Sequence, residues 1–197
     1  MKTYTIIGGV NGAGKSSLTG VLKNRMNDLG IVIDVDKITA KLGLGAFEGG
    51  KASIVTINDC MAKGISFTQE TTLSGFRVER TVREARSQGY YIRMFYVGVD
   101  TLEESLMRIK NRVERGGHDI PPEDVIRRFR GRFDALLRIL PYCNEATLFD
   151  NYNGFIPVAE YRNGVIVPQI DSHPAWLTEL MERITPNPRM KDGYASP

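Results

Sequence analysis

The sequence predicts an α/β protein in which a parallel sheet carries helices on both faces. Short segments rich in β-branched and aromatic residues alternate with amphipathic segments, several of which end at a glycine. A glycine-rich loop also separates the first of these strands from the first helix. Because this alternation requires crossover connections between parallel strands, ligands are expected beyond the carboxyl ends of the strands.

The elements follow from hydrophobic period and from their boundaries. The predicted strands are 3–8, 31–36, 65–70, 91–98, 147–150, 155–161 and 164–168. The predicted helices are 14–29, 51–63, 76–88, 102–115, 122–139 and 174–184. Gly30, Gly64 and Gly89 follow the first three helices, as glycine commonly follows a helix C-terminus.

The C-terminal part extends the α/β pattern. Asn163-Gly164 indicates a tight turn, so the last two strands are expected to form a hairpin, followed by the last helix. Length favours one domain, which we place at 1–185. The proline-rich, polar segment 186–197 is expected to be a flexible tail.

Composition describes an ordinary globular chain. The 197 residues are 42% hydrophobic and 25% charged, with a formal net charge of +3. Cys60 and Cys143 form no disulfide framework, and no apolar run reaches the roughly 18 residues of a membrane helix, so a cytoplasmic protein without membrane contact is expected. Basic residues cluster at Arg108, Lys110, Arg112, Arg115, Arg127, Arg128, Arg130, Arg132 and Arg138.

The segment Gly9–Ser16 matches the phosphate-binding pattern G-x-x-x-x-G-K-[ST], between a predicted strand and a predicted helix. Backbone N–H groups of such a loop and the helix N-terminus bind phosphates, which predicts a P-loop NTPase fold. Lys15 is expected to bridge the β- and γ-phosphates and Ser16 to ligate Mg²⁺. The predicted nucleotide-binding residues are Gly9, Asn11, Gly12, Ala13, Gly14, Lys15, Ser16 and Ser17.

Two aspartates end the second predicted strand. Asp34 and Asp36 would share a strand face, so one could orient the metal shell while the other accepts a proton from an attacking hydroxyl. We assign Asp34 to the metal. In the alternative interpretation Asp36 is the N-cap of a helix over 37–42.

The third predicted strand ends in polar residues. Glu70, Thr71 and Thr72 should emerge beside the γ-phosphate, where a carboxylate and hydroxyls can bind a polyhydroxylated substrate. Alternatively, the two threonines cap a helix that begins near Ser74.

A basic segment over about 102–139 is predicted to act as a lid over the triphosphate. Arg108, Arg112 and Arg115 lie at i, i+4 and i+7 on one helix face, before the Gly116-Gly117 pair that could be a hinge. Arg112 and Arg115 are the favoured catalytic residues. A solvated helix face is the alternative.

Together these motifs resemble the zeta-toxin family of P-loop kinases over roughly residues 4–160, and most of all its compact bacterial branch. The similarity lies in the phosphate loop, the aspartate after the second strand, Glu70–Gly75 (ETTLSG) and Arg112–Pro121 (RVERGGHDIP). The resemblance implies transfer of phosphate from ATP, with Mg²⁺, to a hydroxyl of a small-molecule acceptor similar to UDP-N-acetylglucosamine. It also makes an antitoxin protein a candidate partner.

The resemblance also implies a role for individual residues. Lys15 would contact the transferred phosphate and Asp36 would be the base toward the acceptor hydroxyl. Glu70 and Thr72 would contact the sugar-nucleotide, and arginines of segment 108–115, including Arg108, would bind phosphates.

Two other functions fit the same sequence. A nucleotide-dependent module could bind an RNA end through arginines 127–138, although no aromatic platform for base stacking is evident and nucleic acid is not the expected partner. A slow ATPase could instead act through a protein partner.

Overall fold

The computed structural model describes residues 1–35, 38, 43, 46–117 and 119–184. Its strands are β1 Thr3–Gly8, β2 Ile31–Ile33, β3 Phe67–Thr71, β4 Tyr91–Val97, β5 Glu145–Asp150, β6 Ile156–Arg162 and β7 Val165–Pro168. Its helices are α1 Lys15–Lys23, α2 Ala46–Lys63, α3 Arg77–Ser87, α4 Leu102–Glu114, α5 Pro122–Arg130, α6 Arg132–Ile139 and α7 Ala175–Ile184. The predicted tail 186–197 and Asp36 lie outside the described residues.

The described strands form one sheet in the order β2-β3-β1-β4-β5-β6-β7. Strands β1 to β5 pair in parallel, whereas β6 and β7 are antiparallel additions at one edge. This arrangement confirms the predicted α/β fold and the predicted C-terminal hairpin. Strand β1 lies between β3 and β4, so the chain connections run toward opposite edges of the sheet on its two sides. The loop that follows β1 therefore lies at the point where the strand order reverses.

Alternating side chains of β1 pack into two different cores. Ile6 belongs to a cluster with Val82 of α3 and Leu136 of α6. Ile7 belongs to a second cluster with Leu18 of α1. Since successive strand residues point to opposite faces, the sheet is covered by helices on both sides, as the sequence predicts.

Strand β2 is shorter than predicted. It ends at Ile33, not at position 36, because Val35 is already helical and the Ile38 N–H donates to the Asp34 carbonyl at 2.9 Å. The prediction that Asp34 lies on a strand face shared with Asp36 is therefore wrong for Asp34, because Asp34 lies at the start of a helical turn. The alternative cap by Asp36 over 37–42 falls outside the described residues.

Two helix predictions are also wrong in extent. The predicted helix 122–139 is split at Gly131 into α5 and α6, because glycine is a weak helix former. At this break Arg132 turns inward and stacks on Phe129 and Phe133. Helix α1 ends at Lys23, short of the predicted 29.

Gly30 therefore has another role than ending the first helix. It takes a positive φ of 61°, and a Cβ atom at this position would overlap the backbone carbonyl oxygen of Ser66. That same oxygen accepts a hydrogen bond from the Ile31 N–H at 3.0 Å. Gly30 is thus required for the close approach that begins the pairing of β2 with β3.

Among the described residues, none of the helices combines the length and the apolar character that crossing a membrane would require.

We expect Gly30→Ala to destabilise the fold far more than Gly89→Ala. Both glycines have positive φ, but a Cβ at Gly89 meets open space. The Gly89 change should lower the free energy of unfolding by about 1–2 kcal/mol through left-handed strain alone. The Gly30 change should lower it by more than about 3 kcal/mol, because the strand start must also move. Urea unfolding of both variants measures the difference, and equal losses would contradict this role of Gly30.

Candidate functional site

The glycine-rich loop follows β1 and runs into α1 as predicted. Gly14 takes the N-cap position of α1 with a positive φ of 100°. Gly12 is packed so closely under α4 that a Cβ would lie 2.7 Å from the Ser105 carbonyl oxygen. The loop is therefore shaped both by its own turn and by the helix above it.

The lysine of the loop folds back across it. The Lys15 Nζ donates to the carbonyl oxygens of Gly9 and Val10, at 3.0 Å each. These bonds keep the ammonium group at the mouth of the loop, where the side chain also lines the cleft described below. A phosphate bound by the loop would lie next to this positive charge.

Glu70 is held by two hydroxyl groups of α1. It is 7% exposed, and the Ser16 Oγ donates to its Oε2 at 2.6 Å while the Thr19 Oγ1 donates to its Oε1 at 2.6 Å. The β1–β3 register, which places Ile7 opposite Glu70, brings β3 to this point. The carboxylate predicted to contact substrate thus lies against Ser16, the predicted metal ligand.

Asp34 lies on the neighbouring strand end. Ile33 pairs with Gln69, so Asp34 follows β2 at the level of Glu70 in β3. Asp34 is buried and lines the same cleft as Ser16 and Glu70. Ser16 and Asp34 therefore line one cleft, as expected for two residues of one site. Glu70 lines the same cleft between the glycine-rich loop and β2.

The oxygen donors at this end of the cleft are of the kind that binds Mg²⁺ together with a nucleotide. In the part of the chain that the structure describes, no three or more His, Cys, Asp or Glu side chains form a group that could hold a metal ion alone. Mg²⁺ is commonly bound by one or two protein oxygens together with phosphate oxygens and water. The Ser16 hydroxyl and the carboxylates of Glu70 and Asp34 are hard oxygen donors of that kind.

A cleft of about 640 Å³ joins these groups to the rest of the predicted site. Its predicted lining residues are Asn11, Gly12, Gly14, Lys15, Ser16, Ser17, Asp34, Glu70, Thr71, Thr72, Arg108 and Arg112. Gly9 and Ala13 are buried beneath the loop and do not line it. Arg115 lines an adjoining cavity of about 490 Å³, which it shares with Arg108 and Arg112.

The last residue of β3, Thr71, and the next residue, Thr72, carry partly exposed hydroxyl groups. The Thr71 Oγ1 accepts a hydrogen bond from the Leu73 N–H at 3.0 Å, and the Thr72 Oγ1 lies 2.9 Å from the Ser74 Oγ in an exposed pair. Helix α3 begins only at Arg77, and its N-cap, Phe76, makes no side-chain cap bond. The alternative in which these threonines cap a helix near Ser74 is therefore wrong.

Arg108 fastens three parts of the site together. Its guanidinium donates to the Asn151 carbonyl at 2.6 Å, to the Gly12 carbonyl at 3.4 Å and to Glu104 at 2.5 Å. The Asn151 side-chain amide donates in turn to the Ala13 carbonyl at 2.9 Å. Arg108 thus ties α4 and the segment after β5 to the phosphate loop, while it still lines the cleft.

Arg128 reaches the loop from α5, although sequence reasoning did not select it. Its Nη1 donates to the Asn11 Oδ1 at 3.1 Å, and it lines the cleft. Its neighbour Arg127 shares the Asp124 carboxylate but has a side chain that is 70% exposed, against 24% for Arg128. The sequence could not separate the two arginines, because only tertiary packing decides which one faces the loop.

Gln69 and Asp119 also line the cleft without having been predicted. Gln69 precedes Glu70 within the short polar stretch that ends β3, which is the one sequence signal that pointed toward it.

Two solved structures share this fold at low sequence identity. A chain of the AvrRxo1-ORF1:ORF2 complex crystallised with ATP is similar with a TM-score of 0.66 and 18% identity, over 94% of this chain and 64% of that one. A chain of the PezAT chromosomal toxin-antitoxin system of Streptococcus pneumoniae gives a TM-score of 0.60 and 16% identity, over 79% and 71% of the two chains. The protein spans just under two thirds of the AvrRxo1 chain.

The protein therefore has a P-loop NTPase fold. No known protein-family model matches its sequence. It is 33% identical over 124 residues to a Haemophilus influenzae protein described as uncharacterized, and the match covers 60% of this chain and 86% of that protein. The chain belongs to the same family as this Haemophilus influenzae protein.

Proposed function

We propose that the protein is an ATP- and Mg²⁺-dependent kinase that phosphorylates a hydroxyl of a small molecule. A sugar-nucleotide similar to UDP-N-acetylglucosamine is the first candidate acceptor. The observation that carries the proposal is the single cleft in which the phosphate loop faces Asp34, Glu70, Thr71 and Thr72. A protein that only hydrolyses ATP needs no such polar wall for a second substrate.

The phosphate loop and the arginines would hold the donor. Backbone N–H groups of Gly9–Ser17 and the Lys15 ammonium would bind the β- and γ-phosphates. Arg112 and Arg128 also line the cleft, where they would neutralise charge on the transferred group. Arg115, which lines the adjoining cavity, remains a proposed member of this group.

Ser16, Glu70 and Asp34 would hold Mg²⁺ together with the phosphate oxygens. When bound, the ion supplies positive charge that the transferring phosphoryl group requires. Both Glu70 oxygens already accept hydrogen bonds from α1, one of them from Ser16. We therefore assign Glu70 to the metal side of the cleft, whereas the sequence alone had placed it at the acceptor.

The acceptor would bind along the remaining polar wall. The exposed Thr72 hydroxyl and the neighbouring Thr71 can hydrogen-bond to alcohol groups. Asp36, which follows Asp34 and Val35, is the proposed base that takes the proton from the attacking hydroxyl. The likeness to a toxin-antitoxin protein adds an antitoxin as a proposed partner.

The test of this function is transfer of labelled phosphate from ATP with Mg²⁺ to UDP-sugars, free sugars and nucleosides, with ADP release followed in parallel. We expect a labelled acceptor with the wild-type protein and none with Lys15→Ala. Asp36→Asn should lower transfer by about 10²- to 10⁴-fold while ATP affinity changes little. ADP release without any labelled acceptor would contradict the proposed kinase activity. Full transfer by Asp36→Asn would contradict the role of Asp36 as the base.

Arg128 and Arg127 allow a matched test of the cationic wall. Both pair with Asp124, but only Arg128 lines the cleft. We expect Arg128→Gln to lower kcat by about 10³-fold, the lower end of the effect of a well-placed arginine on phosphoryl transfer. Arg127→Gln should leave kcat within a factor of two or so, because surface ion pairs contribute little. Equal effects of the two changes in steady-state assays would contradict the assignment.

A further inference from the structure

A buried amide lies beside Glu70 on the other face of the sheet. Glu70 faces α1, so the preceding residue of β3, Gln69, points to the opposite side. Gln69 is only 7% exposed, yet it lines the cleft. For a buried glutamine at the edge of a cleft, both the oxygen and the nitrogen of the amide are expected to have hydrogen-bond partners.

The amide oxygen of Gln69 is fixed by a tyrosine. The Tyr4 hydroxyl donates to the Gln69 Oε1 at 2.5 Å, and the Tyr4 ring stacks on Phe67 with 4.4 Å between ring centroids. Tyr4 is fully buried, and burial raises the pKa of its hydroxyl above the usual value. The hydroxyl thus stays protonated and remains a donor.

The amide nitrogen, unlike the oxygen, has no hydrogen bond to the protein in the described part of the chain. In this orientation the Tyr4 hydroxyl donates to the amide oxygen, which leaves both Nε2 hydrogens for other acceptors. Because Gln69 lines the cleft, this nitrogen is a donor available to an oxygen of a molecule bound there.

We propose that Gln69 determines acceptor specificity by donating a hydrogen bond from Nε2 to an uncharged carbonyl or hydroxyl oxygen of the acceptor. Tyr4 is the positioning residue that keeps the amide in this orientation. The inference rests on the proposed kinase function and names the chemistry that the acceptor presents to this wall.

The surrounding charges favour an uncharged group at Gln69. Glu70 is the next residue of β3 and Asp34 follows β2, and these carboxylates make this wall unfavourable for an acidic group of the acceptor. The arginines that line the same cleft are the better partners for anions. An alcohol or acetamide group of the acceptor would therefore bind at Gln69, with its phosphates directed toward the arginines.

The chain offers a matched control for Tyr4. Tyr90 is also buried, also packs on Phe67 at 5.7 Å between ring centroids, and donates its hydroxyl to the carbonyls of Cys60 and Ile65 at 2.9 and 3.0 Å. Tyr90 does not line the cleft. Removing either hydroxyl costs one buried donor, but only the change at Tyr4 releases the Gln69 amide.

The experiment measures the KM values for acceptor and ATP in Gln69→Glu, Gln69→Leu, Tyr4→Phe and Tyr90→Phe, with UDP-N-acetylglucosamine and any other acceptor that the wild-type protein phosphorylates. Gln69→Glu keeps the size of the side chain and can still accept from Tyr4, but it replaces the donor by an acceptor. We expect both Gln69 changes to raise the acceptor KM by about 10- to 100-fold, as for loss of a buried hydrogen-bond donor, with a much smaller change for ATP.

Tyr4→Phe should raise the acceptor KM in the same direction, and Tyr90→Phe should leave it unchanged. Circular dichroism establishes that each variant is folded, and Gln69→Glu carries the test if Gln69→Leu does not fold. Wild-type transfer with unchanged acceptor KM in Gln69→Glu, or equal effects of the two tyrosine changes, would overturn this inference alone. Absence of transfer by the wild-type protein would overturn the proposed function and this inference with it.

Discussion

Two hydrogen bonds from α1 to Glu70 are the contact on which the site depends. They join the third strand to the helix that the phosphate loop opens, and they satisfy both oxygens of a carboxylate that is nearly excluded from water. An unpaired charge in this position would be costly, so the Ser16 and Thr19 hydroxyls stabilise the sheet and the loop together. The order β3-β1-β4 makes the contact geometrically available.

The rest of the cleft is arranged around this contact. Helix α4 is fastened to the loop at its base, where the Ser105 Oγ donates to the Asn11 carbonyl at 2.6 Å and Arg108 donates to the Gly12 carbonyl. The first half of the predicted lid is therefore part of the wall of the cleft. The cationic side of the cleft comes from the second half of α4, through Arg112, and from α5, through Arg128.

Local sequence signals were sufficient for the framework. The glycine-rich loop between β1 and α1, the alternation of strands and helices, and the hairpin at Asn163-Gly164 depend on residues close together in the chain, and all are found in the structure. The end of β2 was wrong because a helical turn begins at Asp34 where the aspartates had suggested a continuing strand.

Tertiary contacts decided what local patterns could not. Glu70 meets Ser16 and Thr19 across more than fifty positions of sequence, and Arg128 meets Asn11 across more than one hundred. Arg127 and Arg128 are adjacent and identical in type, so no periodicity could say which of them reaches the loop. Gln69 could not be identified from the sequence for a related reason. Its partner Tyr4 lies in β1, which pairs with β3 only in the folded chain.

The central claim is that Glu70, held against Ser16, belongs to the metal–nucleotide site. The most direct measurement is electron paramagnetic resonance of Mn²⁺, used in place of Mg²⁺, bound with ATP to the wild-type protein and to Glu70→Gln. We expect Glu70→Gln to weaken binding of the Mn²⁺–ATP complex by about 10- to 100-fold, as for other carboxylates that orient metal ligands, with little change for ATP without metal. Equal affinity of the two proteins for Mn²⁺–ATP would contradict the claim.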